Sequence, residues 1–361
     1  MKYIHEFRDP HLARPLVERI QAYAGPPLRF MEFCGGHTHA IMRYGIRSLV
    51  VPMVELVSGP GCPVCVSANA DLDQAIALAG VPGVILATFG DMIRVPGSRE
   101  SLQDAKARGA DVRIVYSSLD AVQMAQENTQ RPVVMLGVGF ETTAPTIAAS
   151  VLHAEREHVD NFYVLSLHKL TPPATRAILD AGEVHLDGII GPGHVTTIIG
   201  EAAWEFLPRD YGLSCAVSGF EPLDMLQAIA ALIELASGGE PAVRNVYGRS
   251  VTHSGNAVAL EMMYRVFQVE AADWRGMGVV PDSGLGFRDE FARFDAAQVF
   301  PLDIPPSIEH SGCRCGEVLR GVLLPTGCPL FGRICDPAHP VGPCMVSAEG
   351  ACAAYYQYRE D

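Results

Sequence analysis

The strongest constraint on this chain is a repeated alternation of short apolar runs with helical patterns. Runs at 28–33, 53–57, 84–89, 112–116, 133–138, 162–167, 188–190 and 213–217 each lead into a polar or glycine-rich turn and then an amphipathic stretch. Their starts lie roughly 25 to 30 residues apart, the length of a βα unit in a parallel sheet. The helical stretches carry the expected stripe: Leu226, Ile229, Ala230 and Ile233 fall at i, i+3, i+4 and i+7 behind Pro222. Eight such units close as one barrel or form two open sheets, and periodicity does not separate the two. The linker Asn128-Thr129-Gln130-Arg131-Pro132 falls midway and favours two similar α/β domains facing a cleft.

The expected division is a helical extension over 1–28, a first α/β domain over 29–130, a second over 131–239, and a C-terminal region over 240–361. A helix over 11–23 is closed by Gly25-Pro26-Pro27, and another spans 256–267. The chain beyond is rich in Pro and Gly. Six of the ten cysteines crowd into 313–361, a segment with too little apolar periodicity to build its own core, so a metal clip is expected there.

Length and composition narrow the partners. A chain of 361 residues that is 48% hydrophobic can bury a substantial core. Its formal charge of −14, with no Lys/Arg cluster, argues against nucleic acid or an anionic membrane. No apolar run approaches the roughly 18 residues that span a bilayer, and residues 1–6 lack a signal core. A cytoplasmic location is expected, where a disulfide framework is not.

Chemistry concentrates at predicted strand ends. Cys34-Gly35-Gly36-His37-Thr38-His39 follows the first run and opens a helix, where free N–H groups and the helix dipole favour a thiolate. Such a sulfur is a nucleophile or a metal ligand, with His37 and His39 close by and two glycines leaving room for a ligand or a second protein. A buried structural cysteine is the bland alternative. Gly59-Pro60-Gly61-Cys62-Pro63-Val64-Cys65 follows the second run, so its dithiol adjoins the Cys34 turn if those strands are neighbours. A C-x-x-C at a helix start suits thiol–disulfide exchange, and half a zinc site or two core thiols are the competing readings.

Further polar loops follow later runs: 137–145 with Gly137, Gly139, Thr142 and Thr143, then His168-Lys169, Gly191-Pro192-Gly193-His194, and Ser218-Gly219-Phe220-Glu221-Pro222. In a parallel sheet these converge on one rim. The 139–143 loop either holds an anion on backbone N–H groups or uses its glycines for packing alone. Among the late cysteines, Cys313, Cys328, Cys335 and Cys352 read as C-x14-C-x6-C-x16-C, which suits a cubane cluster better than zinc knuckles. Spacing does not exclude Cys315 or Cys344.

Together these stretches resemble the hydrogenase maturation factor HypD family. The Cys34–His39 hexapeptide, the Gly59–Cys65 stretch, Gly139-Phe140-Glu141-Thr142-Thr143-Ala144-Pro145 and the late cysteine spacing run in family order over nearly the whole chain. The resemblance implies a scaffold on which the Fe(CN)2CO moiety of [NiFe] hydrogenase is assembled, together with a HypC-type chaperone. It implies Cys34 as the iron ligand with His37 in the same site, Cys62 and Cys65 as a redox dithiol, and a [4Fe-4S] cluster on Cys313, Cys328, Cys335 and Cys352. Cyanide would come from a HypE-type donor. Cys215, Cys315 and Cys344 are extra to that pattern. The competing class is a stand-alone iron-sulfur thiol–disulfide oxidoreductase with no iron at Cys34.

Overall fold

A computed structural model describes residues 5–359; residues 1–4, part of the stretch read against a signal core, lie outside the described residues. Each of the eight apolar runs forms a strand: β1 (Leu28–Glu32), β2 (Val54–Ser58), β3 (Ile85–Thr88), β4 (Asp111–Ile114), β5 (Val133–Gly137), β6 (Phe162–Ser166), β7 (Gly188–Pro192) and β8 (Cys215–Ser218). Three more follow: β9 (Val243–Asn245), and β10 (Phe267–Trp274) with β11 (Gly278–Phe287) as an antiparallel hairpin. Helices lie where the stripes predict them, at Pro10–Gln21, Pro222–Ala236 and Ala257–Val266.

The parallel strands form two open sheets, ordered β2-β1-β7-β8-β9 and β4-β3-β5-β6. The α/β class with two parallel-sheet domains therefore holds, and a single barrel is excluded. The expected boundary at 130/131 is corrected, because it falls between β4 and β5, inside the second sheet. The first sheet is instead begun by β1 and β2 and completed by β7 to β9, with β3 to β6 inserted between. The reason lies in β1, a buried strand whose backbone N–H and C=O groups need partners along both edges. β2 pairs along one, and β7 along the other, with Gly188 opposite Phe30. A Cβ on Gly188 would come within 3.1 Å of the Phe30 ring, so a residue without a side chain is what lets β7 pair there.

One apolar core runs through both sheets, from Met31 and Val57 to Leu136 and Leu165. The C-terminal region joins this core through Leu319, Met345 and Cys352. Its last helix, Ala351–Gln357, packs on the helix Gly35–Arg43. Tyr358 Oη lies 3.2 Å from His39 Nε2, and an Arg47 guanidinium N–H donates to Tyr355 Oη. The segment, expected to be unable to build a core of its own, borrows the core of the α/β body. Among the described residues, no helix is long and apolar enough to cross a membrane.

Candidate functional site

Cys34 lies two residues beyond β1 and is the N-cap of the helix Gly35–Arg43, half-buried and in extended backbone geometry. Because β1 and β2 are neighbours, the loop after β2 lies directly against it. Gly35 N–H donates to Gly61 O at 3.0 Å, and a Cβ on Gly61 would come within 2.3 Å of Cys34 N. The dithiol therefore adjoins the Cys34 turn, as the strand order requires. Gly35 and Gly36, expected to leave room for a second protein, serve this chain instead. Gly35 accommodates the backbone of Glu349, and Gly36 lies beneath the Phe220 ring.

The surroundings of Cys34 are polar but closed. Glu32, 1% exposed, accepts from Cys34 N–H at 3.1 Å and from the Thr38 hydroxyl. Burial pushes the Glu32 carboxyl up to about 8, against the hydrogen bonds from Thr38, Ser58 and Cys34. His37 is fully buried, with Nε2 3.2 Å from Ser218 O, which places its proton on Nε2. Its Nδ1 has no partner among the described residues. Burial lowers His37 to about 4, so the ring is neutral at physiological pH. Phe220 stacks against both His37 (ring centroids 4.9 Å apart) and His194 (3.8 Å). Loops after β7 and β8 thus supply the far wall of the Cys34 site.

Cys62 is the N-cap of a one-turn helix, Pro63–Val66, and its sulfur accepts from Cys65 N–H at 3.3 Å. The two sulfurs are 2.6 Å apart and buried. The expected preference for a thiolate at Cys34 is corrected, and Cys65 is raised as well. Burial, with Glu349 next in size, raises the Cys34 thiol, and burial together with Cys62 raises Cys65. Nine-residue and four-residue helices supply too little dipole to offset desolvation and acidic neighbours. A bound cation would displace the Cys34 proton directly.

The late cysteines gather around one small, apolar, partly open cavity lined by Cys313, Cys328, Cys335 and Cys352, with Leu330, Phe331 and Met345. Cys315 and Cys344, also at its wall, are joined to each other as a disulfide, a single bridge that the sequence did not reveal. Cys313, Cys328 and Cys335 all act electrostatically on Cys352. Among the described residues, no three His, Cys, Asp or Glu side chains are drawn into a closed metal-binding set. Cys215 is buried in β8 against Gly191.

The three thiol groups adjoin one another. Cys65 Sγ lies 3.9 Å from Pro343 O, one residue before Cys344, and the chain from there to Cys352 passes over Gly35 at Glu349. The polar loops do not share one rim but divide between the sheets. Those after β5 and β6 meet at the second sheet, where Lys169 N–H donates to Gly139 O at 3.0 Å. The two rims face each other across an open cleft lined by Pro63, Val64, Thr142, Thr143, Ser347 and Glu349. In the 139–143 loop the packing reading fits better. A Cβ on Gly139 would come within 2.3 Å of Thr143 Cβ, and the N–H groups of Thr143 and Ala144 already donate to Phe140 O.

Sequence reasoning placed His168-Lys169 and the 137–145 stretch among the polar loops but did not show that their polar groups are buried. Glu141 Oε1 accepts from Thr171 N–H at 2.8 Å, His168 Nδ1 lies 3.0 Å from Ser166 Oγ, and Lys169 pairs with Asp71 at 3.0 Å. A His-Lys pair ending an apolar run was the available signal.

Two parallel α/β sheets whose facing rims bring together a half-buried cysteine, a buried dithiol and a ring of further cysteines define a multi-thiol α/β protein. The HypD family model, described as the hydrogenase formation hypA family, matches residues 11–359. The hydrogenase maturation factor HypD of Azotobacter vinelandii is 49% identical over 99% of this chain and 97% of its own length. That of Cupriavidus necator is 48% identical over 99% and 97%, and that of Escherichia coli K12 43% identical over 100% and 99%. The chain belongs to the HypD family of hydrogenase maturation factors.

Proposed function

We propose that this chain is the cytoplasmic scaffold on which the iron of Fe(CN)2CO receives its diatomic ligands. Iron is the cargo, bound by the Cys34 thiolate and by a cysteine of a small HypC-type chaperone docked over the cleft. Soft thiolate ligation suits low-spin iron carrying cyanide and CO. Neutral His37 stands beside the metal as a hydrogen-bonding and proton-handling group.

Cyanide arrives as a thiocyanate on the HypE-type donor. Releasing it breaks a C–S bond with two electrons and one proton, giving donor thiol and cyanide. Cys62 and Cys65 supply both electrons as they close to a disulfide, and their two protons cover the one consumed. Cys313, Cys328, Cys335 and Cys352 hold a [4Fe-4S] cluster; the donor set fits, being four soft sulfurs around an apolar cavity with no hard ligand among its lining residues. When bound, the cluster supplies single electrons that return the disulfide to the dithiol.

The observation that carries this reading is the contiguity of the three thiol groups along the 343–352 segment. The test is anaerobic purification with the chaperone, followed by iron analysis and infrared spectroscopy. Iron beyond four atoms per chain, expected for a [4Fe-4S] cluster plus cargo, should accompany CN and CO bands. A preparation with cluster iron alone and neither band would favour the stand-alone oxidoreductase.

A further inference from the structure

The turn of the β10–β11 hairpin carries Arg275 into the protein rather than out of it. Arg275 N–H donates to Val66 O at 2.9 Å, at the end of the dithiol helix, and Trp274 bridges to Ser67. On the other side Gly276 meets Gly316, the residue after Cys315, backbone against backbone. A Cβ on Gly276 would come within 2.3 Å of Gly316 Cα. The turn is therefore wedged between the dithiol helix and the helix Cys315–Leu319. Its arginine lines the same groove as Cys313, which also lines the cysteine cavity.

The Arg275 guanidinium is only 6% exposed, yet poorly neutralised. Nε donates to Ser67 O at 3.0 Å and a terminal nitrogen donates to Asn69 Oδ1, both neutral acceptors. The one carboxylate it pairs with, Glu309, is 3.4 Å away and 54% exposed. A buried charge without a close counter-charge is strongly unfavourable. Glu309, Cys313, Cys65 and Asp71 lie within its electrostatic reach, Asp71 being already paired with Lys169, and a metal-bound thiolate at Cys313 would supply further negative charge.

We infer that Arg275 is the buried counter-charge of the thiolate centre at Cys313, Cys328, Cys335 and Cys352, a positioning residue that holds the reduction potential of that centre up. The inference rests on the cluster reading given above. A fixed positive charge favours the oxidation state with one more electron, and the acceptors that hold Arg275 most closely, Ser67 O and Asn69 Oδ1, are neutral.

The experiment is reconstitution of the full chain with iron and sulfide, then potentiometric titration of the reduced-cluster EPR signal in wild type, Arg275→Gln and Arg275→Lys. At the wild-type midpoint, the reduced-to-oxidised ratio should fall about tenfold in Arg275→Gln, the scale of one unit charge acting across roughly 10 Å at an effective dielectric of about 20. Arg275→Lys keeps the charge but loses the planar fork, so it should melt lower yet titrate within about twofold of wild type. Cluster retention by the lysine variant alone would support the same assignment. If Arg275→Gln titrates like wild type, or the lysine variant titrates as low as glutamine, or both lose the cluster, Arg275 is only a structural wedge and the inference is overturned. A wild-type chain that takes up no cluster overturns the cluster reading itself, before any variant is compared.

Discussion

Glu349 lies so close to Gly35 that a Cβ on the glycine would come within 2.2 Å of the Glu349 carbonyl oxygen. The obstructing atom is backbone, so it cannot swing aside as a side-chain tip would. Gly35→Ala should therefore displace the segment leading to Cys352 and cost about 1–3 kcal/mol, the usual range for overpacking. Thermal melting and iron content should fall together. A variant that melts and loads like wild type would show that this contact is not maintained in solution.

Cys34→Ala removes a half-buried sulfur from a turn while leaving the backbone hydrogen bonds of that turn in place. The fold and the visible absorption of the C-terminal centre should survive, while the CN and CO bands of the chaperone complex disappear. Cys34→Ser should retain at most a trace, since a hydroxyl is a poor soft-metal ligand. His37→Ala should weaken iron retention by less, because the ring hydrogen-bonds to Ser218. Bands of normal intensity in Cys34→Ala would remove that residue from the iron site.

Cys313, Cys328, Cys335 and Cys352 should separate from Cys315 and Cys344 in their response to serine substitution. Replacing any of the four should bleach the visible absorption. The double variant Cys315→Ser/Cys344→Ser should keep it, losing only the bridge between them. Mass spectrometry of alkylated protein reports that bridge, and the same measurement under oxidant and reductant should show Cys62 and Cys65 cycling between dithiol and disulfide. Permanent bleaching in the double variant would mean that the quartet is wrongly drawn.

Two buried groups should tilt the pH–stability profile in opposite directions. Burial raises Glu141 to about 7, so its contribution is fully present below its ordinary value near 4.5 and is lost as pH rises towards 7. Burial, aided by Lys169, lowers His168 to about 3, so its contribution is present above about 6.5 and is lost as pH falls towards 3. Relative to wild type, Glu141→Gln should gain about 3 kcal/mol between about pH 4.5 and 8, since each tenfold change in proton affinity corresponds to about 1.4 kcal/mol. His168→Asn, which keeps an amide where Nδ1 was, should gain as pH falls instead. Denaturant midpoints across pH test both; parallel curves for wild type and variants would refute the burial effects.

All eight runs of the parallel sheets were legible because apolar residues buried on both faces leave an unbroken signature, as in Val133 to Gly137. Their pairing was not. Whether β1 sits beside β3 or β7 depends on contacts between residues far apart in sequence, such as Phe30 against Gly188. The β10–β11 hairpin also escaped notice, since Gln268, Val269, Glu270 and Ala271 are successively exposed and break the two-residue alternation a strand normally shows. Arg275 went unseen with it. At the site, residue types and adjacency were readable from Cys34 and Cys62–Cys65, but protonation was not. The thiols are governed by desolvation and by Glu349, which no local pattern announces.

The insertion of β3 to β6 between the halves of the first sheet has a consequence for synthesis. Cys34 leaves the ribosome before the inserted sheet, Ser218 and Phe220 of its wall follow only after that sheet has been made, and Glu349 comes later still. A nascent chain thus carries the cysteine long before it possesses the pocket. Closing β1 onto β7 links residues about 160 positions apart, the kind of non-local pairing that forms slowly. Metal captured during translation would meet an open thiol with neither His37 fixed in place nor the C-terminal chain laid over Gly35. The topology therefore delays a competent site until the 343–352 segment has been made and folded back over Gly35.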